Sequence, residues 1–465
     1  VKLAVLGGGG VRMPAFVRAV LSASGAGPVG SGALFDRITL FEPDRLRRET
    51  MCRLAETAAG ALQGGAAVQA TTDIEEALSG ADFVFSAMRV GGDRARVIDE
   101  RVALRRGLVG QETTGAGGAA MALRTIPVVL AYSHVLERCA PGAVLINFTN
   151  PAGTITQAIS SHSDVRVFGV CDTPSAAVDS LVGFFGVERS RVGYSYAGLN
   201  HLGWVTSFLI DGEERMEEIL RRYEELQHFD DAFAALDAAV VRRVGAVPTE
   251  YLFYYYDSQR YVGNIGVAGT SRGEDVLRMN QELLANVGGA LHRGDTAGAW
   301  SAYTSGLGLR QGTYMAVDTG FRRELRSAAG AAGPAGRAHL GGYEAVALSI
   351  INGLGSAEVS EVIVNTRNGS SLEFLDQDDI VEVPALVSDR GVAPKTSGAL
   401  ARSAVGLVCQ VKEYERALID AAVSGDAGLA AVALSMHPLV PGVSAARDLL
   451  DDYRREHGEH LAYLR

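Results

Sequence analysis

"VKLAVLGGGGVRMPAFVRAVLSA", residues 1–23, passes from a short apolar stretch through four consecutive glycines into a segment whose apolar residues recur at helical spacing. It reads as strand, tight turn and helix. A mononucleotide-binding unit begins in this way: glycines let backbone N–H groups approach a pyrophosphate, and the helix N-terminus favours its negative charge. Gly7, Gly8, Gly9 and Gly10 are therefore the candidate cofactor turn. The strict GxGxxG spacing is not met, because Arg12 or Met13 stands where the third glycine would fall. A second expected strand, "RITLFEPD" (37–44), ends in acids. Glu42 there is suited to accept hydrogen bonds from an adenosine ribose diol, which favours NAD over NADP. The competing reading is a glycine turn needed only for tight packing.

Working outward, "ADFVFSAM" (81–88), "AVLINFTN" (143–150) and "VRVFGVCD" (165–172) read as further buried strands, with helical segments such as "TDIEEALSG" (72–80) and "ALRTIPVVLAYSHVLERC" (122–139) between them. This alternation predicts an α/β fold with a Rossmann-type, doubly wound parallel sheet over residues 1–197. Beyond "AGLNHLGW" (197–204) the texture changes to polar helical stretches at 212–245, an aromatic run "YLFYYY" (251–256), and strand-like "SEVIVNTRNG" and "DIVEVPALV". Residues 198–465 are accordingly expected to form an α+β domain for substrate, catalysis and oligomerisation, on the two-domain plan of lactate and malate dehydrogenases. "SAAGAAGPAGRA" (327–338) is low-complexity and reads as a mobile surface loop.

Composition narrows the class. A chain of 465 residues exceeds what one core usually organises. Its 47% hydrophobic and 21% charged residues match an ordinary globular enzyme. Acids outnumber bases 54 to 43, a formal charge of −11, which argues against a nucleic-acid partner. The N-terminus is too short and too glycine-rich for a signal peptide, and no stretch reads as the roughly 18 apolar residues of a membrane helix. A cytoplasmic protein with no membrane partner is expected. The four cysteines, Cys52, Cys139, Cys171 and Cys409, include no CxxC pair, so neither a disulfide framework nor a zinc knuckle is indicated.

"GVCDTP" (169–174) sets a thiol beside a carboxylate, and "GLNHLGW" (198–204) follows with a histidine. Cys171 and His201 are a soft-to-borderline pair of potential metal ligands, or two unrelated core residues. Taken with "LGGGG" (6–10), "RVGGDRAR" (89–96), "GQETTGAGG" (110–118), "INFTNPAG" (146–153), "VPTEYLFYYY" (247–256), "TSRGE" (270–274), "VEVPALV" (381–387) and "HPLVP" (437–441), these stretches resemble glycoside hydrolase family 4, the NAD- and divalent-metal-dependent glycosidases. They occur in family order across nearly the whole chain.

The resemblance implies a mechanism and a set of residues. Cys171 and His201 would bind a divalent metal, usually Mn2+. NAD+ would take a hydride from C3 of the sugar, and the metal would polarise the resulting ketone. A base would remove the C2 proton, the aglycone would leave C1 by elimination, water would add, and NADH would return the hydride. The base corresponds to Tyr251, with Tyr255 the next candidate; its phenol needs a nearby cation or metal to ionise at neutral pH. Asp172 corresponds to the general acid, or is simply the N-cap of the helix entered at "TPSAAV". Arg89 joins the glycine turn and Glu42 as cofactor-binding. Arg96, Asn150 and Arg272 correspond to the residues that hold a 6-phosphorylated sugar.

The implied partner is thus a phosphorylated glycoside, and a homodimer or homotetramer is expected. "QETTGAGG" and "ALRTIPVVL" resemble the 6-phospho-β-glucosidases, whereas "CDTP" and "GLNHLGW" resemble the 6-phospho-α branch; the β type is the expectation. The turn departs from the family pattern, with Gly10 and Met13 in place of a serine and a threonine. A 2-hydroxy-acid dehydrogenase and a non-enzymatic NAD-binding sensor are the alternatives. The first would accumulate NADH and the second would hydrolyse nothing.

Overall fold

Successive residues of the first strand enter opposite cores. Leu3 and Val5 pack with Phe16, Phe85 and Ile146, whereas Ala4 and Leu6 pack with Val84 and Leu145. A strand apolar on both faces belongs in the middle of a sheet covered on both sides. The computed structural model describes residues 1–24, 35–61, 66–320, 342–355 and 359–465; the segment 327–338 read above as a loop lies outside them.

Strands β1 (Lys2–Leu6), β2 (Arg37–Phe41), β3 (Ala67–Thr71), β4 (Phe83–Ser86), β5 (Val144–Asn147) and β6 (Arg166–Gly169) form a parallel array in the order β3-β2-β1-β4-β5-β6. The mixed α/β class with a doubly wound sheet is as the sequence predicts. Strand order reverses between β1 and β4, and it is beyond the carboxyl ends of such a switch point that open α/β sheets bind ligands. β3 is the strand not anticipated. It lies at the sheet edge with alternate residues exposed, so it carries little apolar signal.

β7 (Val192–Leu199) and β8 (Leu202–Ile210) form a hairpin that, with the short β9 (Glu213–Glu214) and β10 (Val247–Pro248), makes a second sheet. β11 (Ser360–Arg367), β12 (Ile380–Ser388) and β13 (Gly391–Pro394) then return to the first sheet and extend it antiparallel from β6, where Asn365 pairs with Gly169. The division expected at 197/198 therefore falls inside β7, and residues far beyond it complete the sheet. An open edge at β6 is a liability that any distant strand can cover.

The polar stretch at 212–245 forms three short helices, Met216–Arg221, Tyr223–Phe229 and Ala238–Val244, the last begun by Asp237 accepting the N–H groups of Ala239 and Val240. The helix Gly115–Cys139 corrects a second expectation. Over an 18-residue window its mean hydropathy is 1.4, long and apolar enough by composition to cross a membrane. Most of that window is nevertheless buried within the protein, and Arg124 inside it pairs with Asp99 at 2.5 Å, both fully buried. Its apolar surface packs against the neighbouring helices, including Arg402–Ser424.

Candidate active site

A cleft of about 1550 Å3 opens where β1 and β4 end. On one wall is the glycine turn. Gly7 has φ +80°, and a Cβ there would lie 2.7 Å from the carbonyl oxygen of Ala87 after β4, so only glycine suits it. A Cβ on Gly9 would lie 2.6 Å from Cγ of Glu42 and 2.7 Å from Cβ of Arg47. The N–H groups of Gly7 and Gly8 donate to the carbonyl of Phe41 at the end of β2, and that of Gly10 donates to Gly7 within the turn. The Glu42 carboxylate accepts from Gly9 N and from Asp44 N, each at 3.0 Å. Here the glycines supply space rather than free donors, and what faces the cleft beyond them is the start of the helix Met13–Ser24 with Arg12. Burial raises the Glu42 carboxyl above its usual range, against those backbone bonds.

The second wall is an arginine–glutamate lattice. Arg89 pairs with Glu112, and Arg96 is held at Nε by Glu100 at 2.8 Å and at Nη1 by Glu112 at 2.9 Å. Burial alone would raise the Glu112 carboxyl, but the guanidiniums of Arg89 and Arg96 outweigh it and hold the group down at about 2. Asn150 follows β5 in a loop pinned by Asn147, whose side chain accepts Thr149 N and donates to the carbonyls of Thr149 and Ala152. The loop presents Asn150 to the cleft.

At the floor, Cys171 lies just beyond β6 and His201 in the two-residue turn between β7 and β8. His201 has φ +62°, a left-handed conformation unfavourable for a bulky residue, and it aims the ring inward. Cys171 Sγ and His201 Nε2 are 3.6 Å apart. The tautomer follows from the neighbours. Thr113 Oγ1 gives its one proton to Gln111 Oε1 at 2.8 Å, so toward His201 Nδ1, also at 2.8 Å, it must accept. Nδ1 therefore carries the hydrogen and the Nε2 lone pair faces the thiol. Burial pushes His201 down to about 3, keeping it neutral, and burial with the charges of Glu382 and Asp172 pushes the Cys171 thiol well up.

A divalent cation fits this pair. With the bond lengths of a zinc site, about 2.3 Å to sulfur and about 2.0–2.1 Å to nitrogen, a near-tetrahedral angle separates sulfur from nitrogen by about 3.5 Å. Among the described residues no group of three or more His, Cys, Asp and Glu side chains gathers at one point. Two protein ligands leave positions open for substrate oxygens.

The Tyr251 ring stacks on His201 with centroids 3.7 Å apart and planes at 3°, and its hydroxyl lies 3.0 Å from that of Tyr314. Burial, then the Cys171 and Glu250 charges, hold this phenol well above 10, against the hydrogen bond with Tyr314. Tyr255, the alternative base, packs on His437 and does not line the cleft, whereas Tyr254 and Tyr314 line it beside Tyr251. Asp172 is half-buried and stands at the N-cap position of the helix Thr173–Phe185 without a side-chain capping hydrogen bond; its carboxylate faces Arg12 at 3.7 Å. Arg272 donates to Thr313 Oγ1 and to the Arg310 carbonyl, both at 2.8 Å, and burial lowers its pKa.

Sequence reasoning missed Arg310, Tyr314 and Asp318, which all line the cleft. Asp318 accepts Tyr254 Oη at 2.7 Å, while its Oδ1 has no hydrogen-bond partner among the described residues. Their spacing of four, which would place them on one side of a helix, was the available signal. Glu112 and Thr113 were also missed, although both lie in the quoted "GQETTGAGG".

Residues 2–185 match the family described as family 4 glycosyl hydrolase, and residues 196–440 match the family 4 glycosyl hydrolase C-terminal domain. A probable 6-phospho-beta-glucosidase of Bacillus subtilis is 29% identical over 85% of this chain and 83% of its own. The phospho-alpha-glucosidase PagL of Clostridium acetobutylicum is 27% identical over 82% of each. The structure of the Thermotoga maritima 6-phospho-beta glucosidase with manganese, NAD+ and glucose-6-phosphate superposes with a TM-score of 0.78 at 25% identity, covering 99% of both chains.

Proposed function

The chain belongs to family 4 of the glycosyl hydrolases, and from that premise we propose that it hydrolyses 6-phosphorylated glucosides, β-linked ones foremost, with NAD and a divalent cation such as manganese. The observation that carries this reading is the meeting of Cys171 Sγ and His201 Nε2 at 3.6 Å, with Tyr251 stacked on the imidazole, in the cleft of a dinucleotide-type sheet. The manganese, NAD+ and glucose-6-phosphate held by the T. maritima enzyme support all three ligands.

When bound, NAD and the cation supply a hydride acceptor for sugar C3 and a Lewis acid for the ketone so formed. Cys171 and His201 hold the cation. The Tyr251 hydroxyl, hydrogen-bonded to Tyr314, takes the C2 proton. It becomes a base only once positive charge is brought beside its hydroxyl, since burial otherwise keeps it protonated. Asp172, half-exposed at the rim, protonates the oxygen leaving C1, and water then adds to the unsaturated sugar. Gly7–Gly10 shape the dinucleotide seat, and the remaining lone pairs of Glu42 receive the ribose hydroxyls. Arg89 borders the same seat through its bond to Glu112. Arg272 faces the phosphate, Arg96 lies in the same cleft within its lattice of glutamates, and Asn150 faces a sugar hydroxyl. We place the enzyme in the cytoplasm as a homodimer or homotetramer.

A second reading, hydrolysis of 6-phospho-α-glucosides, is favoured by Asp172 following Cys171 and by the likeness to PagL. Matched α- and β-linked p-nitrophenyl glucoside 6-phosphates, with and without NAD+ and Mn2+, separate the two. Cofactor- and metal-dependent release of nitrophenol, faster from the β substrate and without net NADH, is the expected result. Accumulation of NADH from a 2-hydroxy acid, with no nitrophenol from either anomer, overturns the assignment.

A further inference from the structure

Arg310, in the helix Thr296–Gly312, points its guanidinium into the cleft, where Nη1 donates to Asn280 Oδ1 at 3.0 Å. Among the described residues it makes no ion pair. Its surroundings are cationic as well: burial first, then the charges of Arg12 and Arg96, push it down to about 9 despite Asp93. A desolvated cation without a counter-charge is costly, and an incoming anion removes that cost. Arg272 buttresses the same place, gripping the Arg310 carbonyl and the Thr313 hydroxyl with its two terminal nitrogens. Among the described residues neither arginine is ion-paired with a carboxylate that an incoming anion would have to displace. Arg96, which the family pattern assigns to the phosphate, is by contrast already bound at two nitrogens by Glu100 and Glu112.

We propose that Arg310 is a substrate-binding residue that, with Arg272, receives the dianionic phosphoryl group of the substrate, and that Arg96 chiefly holds Glu100 and Glu112 in place. This rests on the reading of the protein as a 6-phosphoglucosidase. Two phosphoryl sources share the chemistry, the sugar phosphate and the dinucleotide pyrophosphate, and the proposal commits to the first because Arg272 and Arg310 are locked together through the 310–313 turn.

Isothermal titration of the full-length protein with glucose 6-phosphate, glucose and NAD+ separately tests it. Arg310→Met is expected to weaken glucose 6-phosphate binding by between about tenfold and a hundredfold, the range for a lost charge-assisted contact. Affinities for glucose and NAD+ should stay within about twofold, and Arg310→Lys should recover part of the loss. Unchanged glucose 6-phosphate affinity in Arg310→Met overturns the assignment. So does an equal or larger loss for NAD+, which would make Arg310 a pyrophosphate ligand, or an equal loss for glucose, which would make it structural. If Arg310→Met does not fold, Arg310→Gln is read by the same criteria. A wild-type protein that binds glucose as tightly as glucose 6-phosphate fails the functional reading itself. A phosphate-selective wild type with an unaffected Arg310 variant fails only this inference.

Discussion

Arg96 and Arg310 face one cleft from opposite helices, Gly92–Leu104 and Thr296–Gly312, in opposite electrostatic conditions. Arg96 sits between Glu100 and Glu112, which hold its pKa above the usual arginine value against burial. Arg310 bonds to an amide and is pushed down among other cations. An arginine in a cleft is therefore not in itself an anion seat; what decides is whether its charge is already answered.

The contrast breaks most visibly in stability. Arg96→Ala leaves the buried Glu100 without its ion-pair partner and Glu112 with Arg89 alone, and should cost about 3–5 kcal/mol, seen as a lower guanidinium midpoint at unchanged slope. Arg310→Met removes a charge that is not ion-paired among the described residues and should leave the midpoint in place or raise it. Equal destabilisation by both would erase the distinction.

Acid titration sharpens the same point. Glu112 titrates at about 2 in the fold against 4.5 unperturbed, so its contribution is complete above pH 4.5 and disappears as pH falls through 2. That difference is worth about 3 kcal/mol. Burial raises Glu100, which opposes the effect, so the comparison is with Glu112→Gln. The variant should lose the wild-type dependence between pH 4.5 and 2, and identical acid-unfolding profiles would show that the lattice does not hold Glu112.

Catalysis should respond on the other side. Arg272→Ala is expected to raise KM for the phosphorylated substrate by the equivalent of about 1.5–3 kcal/mol, with a much smaller change for the unphosphorylated analogue. Equal effects on both would remove Arg272 from the phosphate seat. The smallest change concerns the helix that carries it. Ser271 caps Arg272–His292 in a capping box with Glu274, so Ser271→Ala should lower stability by about 1 kcal/mol, measurable by thermal melting.

The sequence alone determined what local pattern can carry. Five of the six parallel strands, the glycine turn, Glu42 at the end of β2, and the family motifs holding Cys171, His201 and Tyr251 were legible because each depends on residues adjacent in the chain or on a fixed spacing. Tertiary structure decided the rest. Glu112, from a quoted motif, became the charge that occupies Arg89 and Arg96. The Asp172 carboxylate turned toward Arg12 instead of bonding the helix N-terminus it stands at, and β11–β13 completed a sheet whose parallel part ends some 190 residues earlier. Arg310, Tyr314 and Asp318 joined a cleft whose other walls lie up to 300 residues away in sequence. No periodicity reports such meetings, because the charge state of a buried group depends on which counter-charges folding brings within a few ångströms, and those come from anywhere in the chain.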